Sequence, residues 1–178
     1  MLKGNFPVER FKELRTPFYY YDMKLLRDTL DLICREAGRS PEFCVHYAIK
    51  ANFNPVILKA ISAKGLGADC VSGGEVKAAF ENGFPADKIV YAGVGKSDEE
   101  IKYALSIDIA RFNVESAAEL EVINELASGM GNTARVSLRV NPDIGAHTHA
   151  NITTGLAENK FGINYEQLDD VLRKALLL

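Results

Sequence analysis

A lysine stands at the end of an apolar, strand-like run in this sequence of 178 residues. Residues 45–49 have the pattern of a buried strand, and Lys50 follows them directly before the turn-forming residues 51–55. A buried ammonium group is costly unless it is paired, deprotonated or covalently used. Two interpretations are open: the amine of Lys50 reaches solvent, which is the more common case, or it is a nucleophile that forms a Schiff base with a carbonyl compound.

Further polar residues stand where the other apolar runs end. A lysine, an aspartate and an arginine at one edge of a sheet can together hold a polar, anionic ligand. Polar residues are common at strand ends, however, and a salt bridge is the alternative role for the aspartate and the arginine. The candidates in this class are Asp69 with residues 72–74, Gly93 with Lys96, Asn113, and Arg139 with Asn141.

The chain alternates between strand-like and helix-like segments. Between the apolar runs lie segments with helical spacing, and no hairpin signal joins any two runs. Three helix starts match the S-x-x-E capping pattern, at Ser72, Ser97 and Ser116, and Asn54 with Pro55 suits a fourth. This repetition predicts parallel strands connected by crossover helices. The five runs are residues 43–49, 67–71, 88–93, 109–114 and 135–141.

An open doubly wound sheet and a (β/α)₈ barrel both suit this pattern, and the even spacing favours the barrel. A complete barrel has typically ~250 residues, whereas this sequence supplies about five to six βα units and its last segment, 165–178, has a helical pattern. We therefore expect residues 1–178 to be the N-terminal portion of a longer α/β barrel. A further helix is predicted at Met23–Ala37, and the aromatic run 18–21 before it reads as strand core.

Composition excludes several classes of partner. Hydrophobic residues make up 47% and charged residues 25% of the chain, and the net charge is −3 without a basic cluster, which argues against a nucleic-acid ligand. No apolar run has the length of a signal peptide or a membrane span. Three cysteines without a C-x-x-C pair indicate free thiols in a reducing compartment, so we expect a cytoplasmic protein that binds no metal and no membrane.

Several spaced motifs carry a resemblance to a known family. YAIKAN (47–52), GADCVSGGE (67–75) and the run 141–163, which ends in KFGI, resemble the pyridoxal-phosphate-dependent decarboxylases of basic amino acids, which share the alanine-racemase-like barrel. Within that family, these motifs and TPFYYYD (16–22) are most similar to the diaminopimelate decarboxylases. The resemblance implies that Lys50 binds pyridoxal 5'-phosphate as a Schiff base, that Asp69 lines the cofactor pocket, and that Arg139 lies near the cofactor and its lysine.

The resemblance also implies an activity and an assembly. The expected reaction is decarboxylation of meso-2,6-diaminopimelate to L-lysine and carbon dioxide, by a homodimer. The family's phosphate-binding loop, ring-stacking histidine, acid at the pyridine nitrogen and C-terminal β domain follow the KFG motif, so we expect these 178 residues alone to bind the cofactor weakly and to lack turnover. The alternatives are a decarboxylase of another substrate, such as carboxynorspermidine or arginine, and a non-catalytic homologue.

Three weaker signals point to ordinary structural roles. AGVGKS (92–97) is similar to a phosphate-binding P-loop, but Val90 stands where that motif requires its first glycine. His147 and His149 lie near Asp143 without a further metal ligand at suitable spacing. The SGGE segment can bind a phosphate through backbone amides, although helix capping alone accounts for its composition.

Overall fold

The computed structural model describes residues 3–141 and 161–178 of the chain. A five-stranded, wholly parallel sheet is the central element, and its strands lie side by side in sequence order. A doubly wound sheet reverses its strand order at a switch point, whereas a barrel continues in one direction. The described part of the chain therefore has barrel topology, as predicted. The strands are β1 His46–Ala48, β2 Gly67–Cys70, β3 Ile89–Tyr91, β4 Arg111–Val114 and β5 Val136–Leu138.

A second pair of strands continues the winding. Strand β6 Val140–Asn141 pairs in parallel with β7 Ile163–Asn164, and Arg139 is the one residue between β5 and β6. Its N–H donates to the carbonyl of Val114 at 2.9 Å, while its carbonyl accepts from the N–H of Ile163 at 2.7 Å. The single strand predicted at 135–141 is thus divided at Arg139, because the backbone changes its partner strand there.

Helices cover one face of the sheet and bury its apolar side. Alternate strand residues point to this face, and Cys70, Tyr91, Phe112 and Val114 are at most 1% exposed there. They belong to one core with apolar residues of the covering helices. The opposite face of the sheet carries Asp69, one of the predicted site residues. The helices are α1 Val8–Phe11, α2 Met23–Ala37, α3 Pro55–Ser62, α4 Gly73–Glu81, α5 Asp98–Ser106, α6 Ala117–Gly129 and α7 Leu168–Leu177.

The predicted caps start the helices that follow β1 to β4. Each of the three serines accepts a hydrogen bond from the backbone N–H three residues later, and Asn54 caps α3 by accepting from the N–H two residues later. Only Ser97 and Glu100 form the reciprocal capping box. The carboxylates of Glu75 and Glu119 accept instead from the N–H of the residue before the serine. These two glutamates therefore also fix the strand ends that precede their helices.

The aromatic run 18–21 is not a strand, so the prediction of strand core was wrong. Strand β1 pairs only with β2 in the described residues, and no strand lies beside the aromatic run. Tyr19 is 90% exposed, the phenol of Tyr20 donates to the carbonyl of Asn5 at 2.9 Å, and the ring of Phe11 contacts Tyr20. None of the helices in the described ranges is long and apolar enough to cross a membrane.

Candidate functional site

The three predicted site residues lie at one edge of the barrel. All strands are parallel, so their carboxyl ends meet at the same edge, where barrel enzymes place their chemistry. Lys50 follows β1, Asp69 is the penultimate residue of β2, and Arg139 follows β5. Lys50 and Asp69 lie at the ends of the neighbouring strands β1 and β2, whereas Arg139 follows β5, at the other side of the five-stranded sheet.

Lys50 projects from a 3₁₀ turn, Ile49–Ala51, that follows β1 directly. The side chain of Ile49 is completely buried in the core and anchors this turn, while Lys50 is exposed. Within the described ranges the amine makes no hydrogen bond and no ion pair. A lysine without a carboxylate partner is free to act as a nucleophile once its proton is removed.

Hydrogen bonds hold the backbone that follows Lys50. The phenol of Tyr47 donates to the carbonyl of Asn52 at 3.1 Å, and burial raises the pKa of Tyr47, which keeps this donor protonated. The side chain of Asn52 in turn accepts from the N–H of Asn54 at 2.9 Å. The turn is therefore fixed although Lys50 itself is free.

An open cavity of about 530 Å³ adjoins Lys50. Residues from the turn form one side of it, including Asn52 and Phe53, and the aromatic run forms the other side with Tyr19 and Tyr21. The sequence predicts strand core for these tyrosines, whereas the structure places them beside Lys50. Their order in the sequence carries no signal for this contact, because it depends on how the N-terminal segment folds back towards the end of β1.

Asp69 lies on the face of the sheet opposite the helices. Its register partner on β1 is Ala48, two residues before Lys50, and its partner on β3 is Val90. Neighbouring strands are ~4.8 Å apart, so the carboxylate is held close to the strand that carries Lys50. Asp69 is half-buried and forms no hydrogen bond or ion pair in the part of the chain that the structure describes. Its carboxylate is available to a ligand or to the Lys50 amine.

Arg139 is held by a buried carboxylate. Its Nη1 atom donates to both oxygens of Glu115, at 3.0 and 3.1 Å, and its guanidinium carbon lies 5.7 Å from the centre of the Phe161 ring. Gly162 has φ +105°, and a Cβ atom there would lie 2.9 Å from the carbonyl oxygen of Arg139. The F-G part of the KFG motif therefore packs against Arg139, while Lys160 lies outside the described residues.

Glu115 is a polar residue of this edge that the sequence analysis missed. It directly follows β4, and its side chain is only 3% exposed. Besides Arg139 it accepts a hydrogen bond from the N–H of Gly93 at 3.1 Å. An acidic residue immediately after an apolar strand was the available signal, but Asn113, two residues earlier, was taken as the candidate in this loop.

Lys96 proves to be a structural residue. Its side chain is 1% exposed, and its amine donates to the carbonyls of Gly93 at 2.6 Å and Asn113 at 3.0 Å and to Glu119 at 2.5 Å. All three donors of the ammonium group are used, so none remains for a phosphate. This arrangement agrees with the rejection of a P-loop and explains the lysine as a connection between the ends of β3 and β4.

Two weak signals remain, the SGGE segment and the motif with two histidines, and the first of them is a helix cap. In the SGGE segment the N–H of Gly73 donates to Glu100 at 2.8 Å, and the N–H of Glu75 donates to Ser72 at 3.2 Å. These amides serve the junction of α4 and α5. The motif with His147 and His149 lies outside the described residues.

Comparison with known protein families shows to which family the chain belongs. The family model described as pyridoxal-dependent decarboxylase, pyridoxal binding domain, matches residues 32–177. The chain belongs to the pyridoxal-dependent decarboxylase family. The matched region begins within α2 and includes all strands and the candidate residues Lys50, Asp69 and Arg139. The cofactor class implied by the sequence motifs is thereby confirmed for the domain.

Three relatives that are 37–60% identical to this chain carry the name diaminopimelate decarboxylase. A diaminopimelate decarboxylase from Bacteroides thetaiotaomicron is 60% identical over 98% of this chain. The crystal structure of diaminopimelate decarboxylase from Helicobacter pylori, complexed with L-lysine, is 41% identical over 95% of this chain with a TM-score of 0.83. The corresponding enzyme from M. jannaschii, also with L-lysine, is 37% identical over 95% of this chain with a TM-score of 0.83.

The similarity confirms the predicted fold and extends over part of each relative. A TM-score of this size over nearly the whole chain supports the α/β partial barrel of this pyridoxal-dependent family. The chain spans 45% of the Bacteroides protein and 43% and 41% of the two solved chains. It therefore corresponds to less than half of each relative.

Proposed function

We propose that this chain is the pyridoxal-binding part of a diaminopimelate decarboxylase in which Lys50 holds the cofactor covalently. The observation that carries the proposal is the position of Lys50: an amine without an ionic partner in the described residues, on a fixed turn at the carboxyl edge of a pyridoxal-binding barrel. The shared name of the similar proteins supports the substrate.

The residues at this edge suit pyridoxal phosphate in their chemistry. The cofactor presents an aldehyde and an anionic phosphate on a polar ring, and the edge presents an amine at Lys50, a carboxylate at Asp69 and a guanidinium at Arg139. When bound, the cofactor supplies an electron-withdrawing ring that stabilises negative charge at the substrate carbon. The protein's part is to bind, orient and exchange protons.

Each of the three side chains would have a separate task. The ε-amine of Lys50 would hold the cofactor and, when displaced by the substrate amine, would carry a proton that it can return. The carboxylate of Asp69, beside the strand of Lys50, would accept a hydrogen bond from that ammonium group. The guanidinium of Arg139 would attract the anionic groups of cofactor and substrate from the other side of the edge.

The remaining parts of the proposal concern the whole protein. We assign residues 1–178 to the N-terminal portion of the pyridoxal-binding barrel, and the reaction to meso-2,6-diaminopimelate as substrate with L-lysine and carbon dioxide as products. The bound L-lysine in the Helicobacter and M. jannaschii structures supports this product. We further propose a cytoplasmic homodimer, which the sequence favours through its cysteines and its family resemblance.

Carbon dioxide release tests the activity and its substrate. The holoenzyme that contains this chain is incubated with carboxyl-labelled meso-2,6-diaminopimelate, arginine or carboxynorspermidine, with Lys50→Ala as the inactive control. Labelled carbon dioxide from diaminopimelate alone, absent in the variant, is the expected result. Release chiefly from arginine or carboxynorspermidine contradicts the substrate, and no release from any of them, with pyridoxal bound at Lys50, establishes a non-catalytic homologue.

A further inference from the structure

A buried negative charge lies directly beneath Arg139. The side chain of Glu115 is 3% exposed, and an isolated carboxylate at such depth would cost several kcal/mol unless a cation and hydrogen bonds compensate it. Arg139 is the cation that contacts it. The N–H of Gly93 supplies the additional hydrogen bond, at 3.1 Å. The barrel therefore keeps a carboxylate at a position where an apolar side chain would avoid the desolvation cost.

A second ion pair fixes the backbone that carries this carboxylate. The N–H of Glu115 donates to Glu119 at 2.7 Å, and the other oxygen of Glu119 accepts from the buried amine of Lys96. Lys96 also bonds to the carbonyls at the ends of β3 and β4. Glu115 thus has little freedom to move, and it presents a fixed charge towards β5.

The contacts of Arg139 leave part of its guanidinium available. Only Nη1 contacts Glu115, so Nε and Nη2 are not used in this ion pair. The backbone of Arg139 is fixed by Val114 and Ile163, and its side chain remains 48% exposed. Among the described residues, this geometry holds one end of the guanidinium and gives Nε and Nη2 no hydrogen-bond partner.

We propose that Glu115 is a positioning residue that orients the guanidinium of Arg139 towards the cofactor. The inference rests on the proposed function, because it takes Arg139 as a cofactor-binding residue. Glu115 does not itself face the ligand: it acts through Arg139, by fixing Nη1 and leaving Nε and Nη2 for an anionic group. Without Glu115, Arg139 would keep its charge, but its guanidinium would no longer be held in one orientation.

Cofactor affinity in a double-mutant cycle tests this role. Binding of pyridoxal phosphate is followed by absorbance for the full chain and for Glu115→Gln, Arg139→Gln and the double variant. Glutamine keeps the size of Glu115 and an oxygen for Gly93 but removes the charge. Because a hydrogen bond to a charged group contributes ~1.5–3 kcal/mol, each single variant should bind at least about tenfold more weakly. The double variant should bind no more weakly than Arg139→Gln alone.

A merely structural role predicts a different cycle. Loss of stability at Glu115 would weaken binding equally in the presence and absence of Arg139, so the two effects would add, and that result overturns the proposal. Glu99→Gln, which neutralises an exposed glutamate on α5, is the matched control and should bind as the wild type does. Glu115→Asp, which restores the charge at a shorter reach, should recover part of the affinity.

A second measurement on Arg139 separates this inference from the proposed function. The Nε–H signal of Arg139 in a ¹H–¹⁵N spectrum, assigned by its loss in Arg139→Gln, reports the guanidinium without any cofactor. It should shift and broaden in Glu115→Gln, and an unchanged signal overturns the positioning role. Failure of the wild-type protein that contains this chain to bind pyridoxal phosphate overturns the proposed function, and with it the orientation towards a cofactor, whatever the spectrum shows about Arg139.

Discussion

Replacing the buried lysine of the barrel edge tests the structural account most sharply. In Lys96→Met the side chain keeps much of its length and loses its ammonium group. Three acceptors then lack their donor: the carbonyls of Gly93 and Asn113 and the carboxylate of Glu119. Removing one partner of a buried ion pair costs about 3–5 kcal/mol. Because the Glu119 side chain is 14% exposed and stays partly hydrated, we expect about 3 kcal/mol.

Such a loss is large relative to the ~5–15 kcal/mol stability of a typical domain. Urea unfolding followed by circular dichroism measures it, with Lys102→Met, an exposed lysine on α5, as the matched control within about 0.5 kcal/mol of wild type. Adding Glu119→Gln to Lys96→Met should recover part of the loss, since the unpaired charge is then removed. A free energy of unfolding for Lys96→Met that equals that of the control would refute the buried ion pair.

Three further predictions follow from particular contacts. Gly162→Ala forces a side chain into a backbone with φ +105° and places its Cβ 2.9 Å from the carbonyl oxygen of Arg139. We expect urea unfolding to show about 2 kcal/mol of destabilisation. The control Gly95→Ala, whose Cβ would meet nothing within 4 Å, should lose almost none. The hydrogen bond from the Ser97 N–H, with weaker ones beside it, lowers the pKa of Glu100. The carboxylate therefore stabilises the fold above its unfolded pKa of ~4.3, and this contribution disappears as the pH falls through the lower folded pKa. Glu100→Gln should accordingly lose stability at about pH 7 and much less at about pH 3; an equal loss at both would contradict the assignment. Burial raises the pKa of the Cys70 thiol, so iodoacetamide should label the exposed Cys44 well before Cys70 in the folded chain, and equal labelling rates would show that the core is open.

Local sequence patterns were sufficient to predict the barrel elements. The short apolar runs, the helical spacing between them and the S-x-x-E caps all describe interactions within a few residues of the chain. Each predicted strand from β1 to β4 and each helix from α2 to α6 occurs in the structure. The parallel orientation of the strands followed from the absence of hairpins, which requires crossover helices, and the even spacing favoured the barrel.

Features that depend on distant contacts were not predicted. The division of the strand at Arg139 arises because its backbone bonds to β4 on one side and to β7 on the other, and no pattern around residue 139 records that change. The aromatic run 18–21 was taken for strand core because its composition is strand-like, but no described strand pairs with it. Its exposure follows from tertiary structure and not from propensity.

The same contrast between local patterns and distant contacts applies to the residues of the candidate site. Lys50 became a candidate because a charged residue directly after a buried strand is unusual, and such a placement is visible in sequence. Lys96 was placed at the edge correctly, yet its role as a saturated structural cation depends on Glu119, twenty-three residues later. Glu115 gained significance only through Arg139, which lies twenty-four residues away.

Covalent trapping of the cofactor tests the central claim most directly. The chain is incubated with pyridoxal phosphate, reduced with borohydride and digested, and the mass of the peptide that holds residue 50 is measured. We predict that the reduced adduct is on Lys50, disappears in Lys50→Ala and persists in Lys59→Ala, an exposed lysine on α3. An adduct distributed over surface lysines without preference for Lys50, or unchanged saturable binding in Lys50→Ala, would contradict the account.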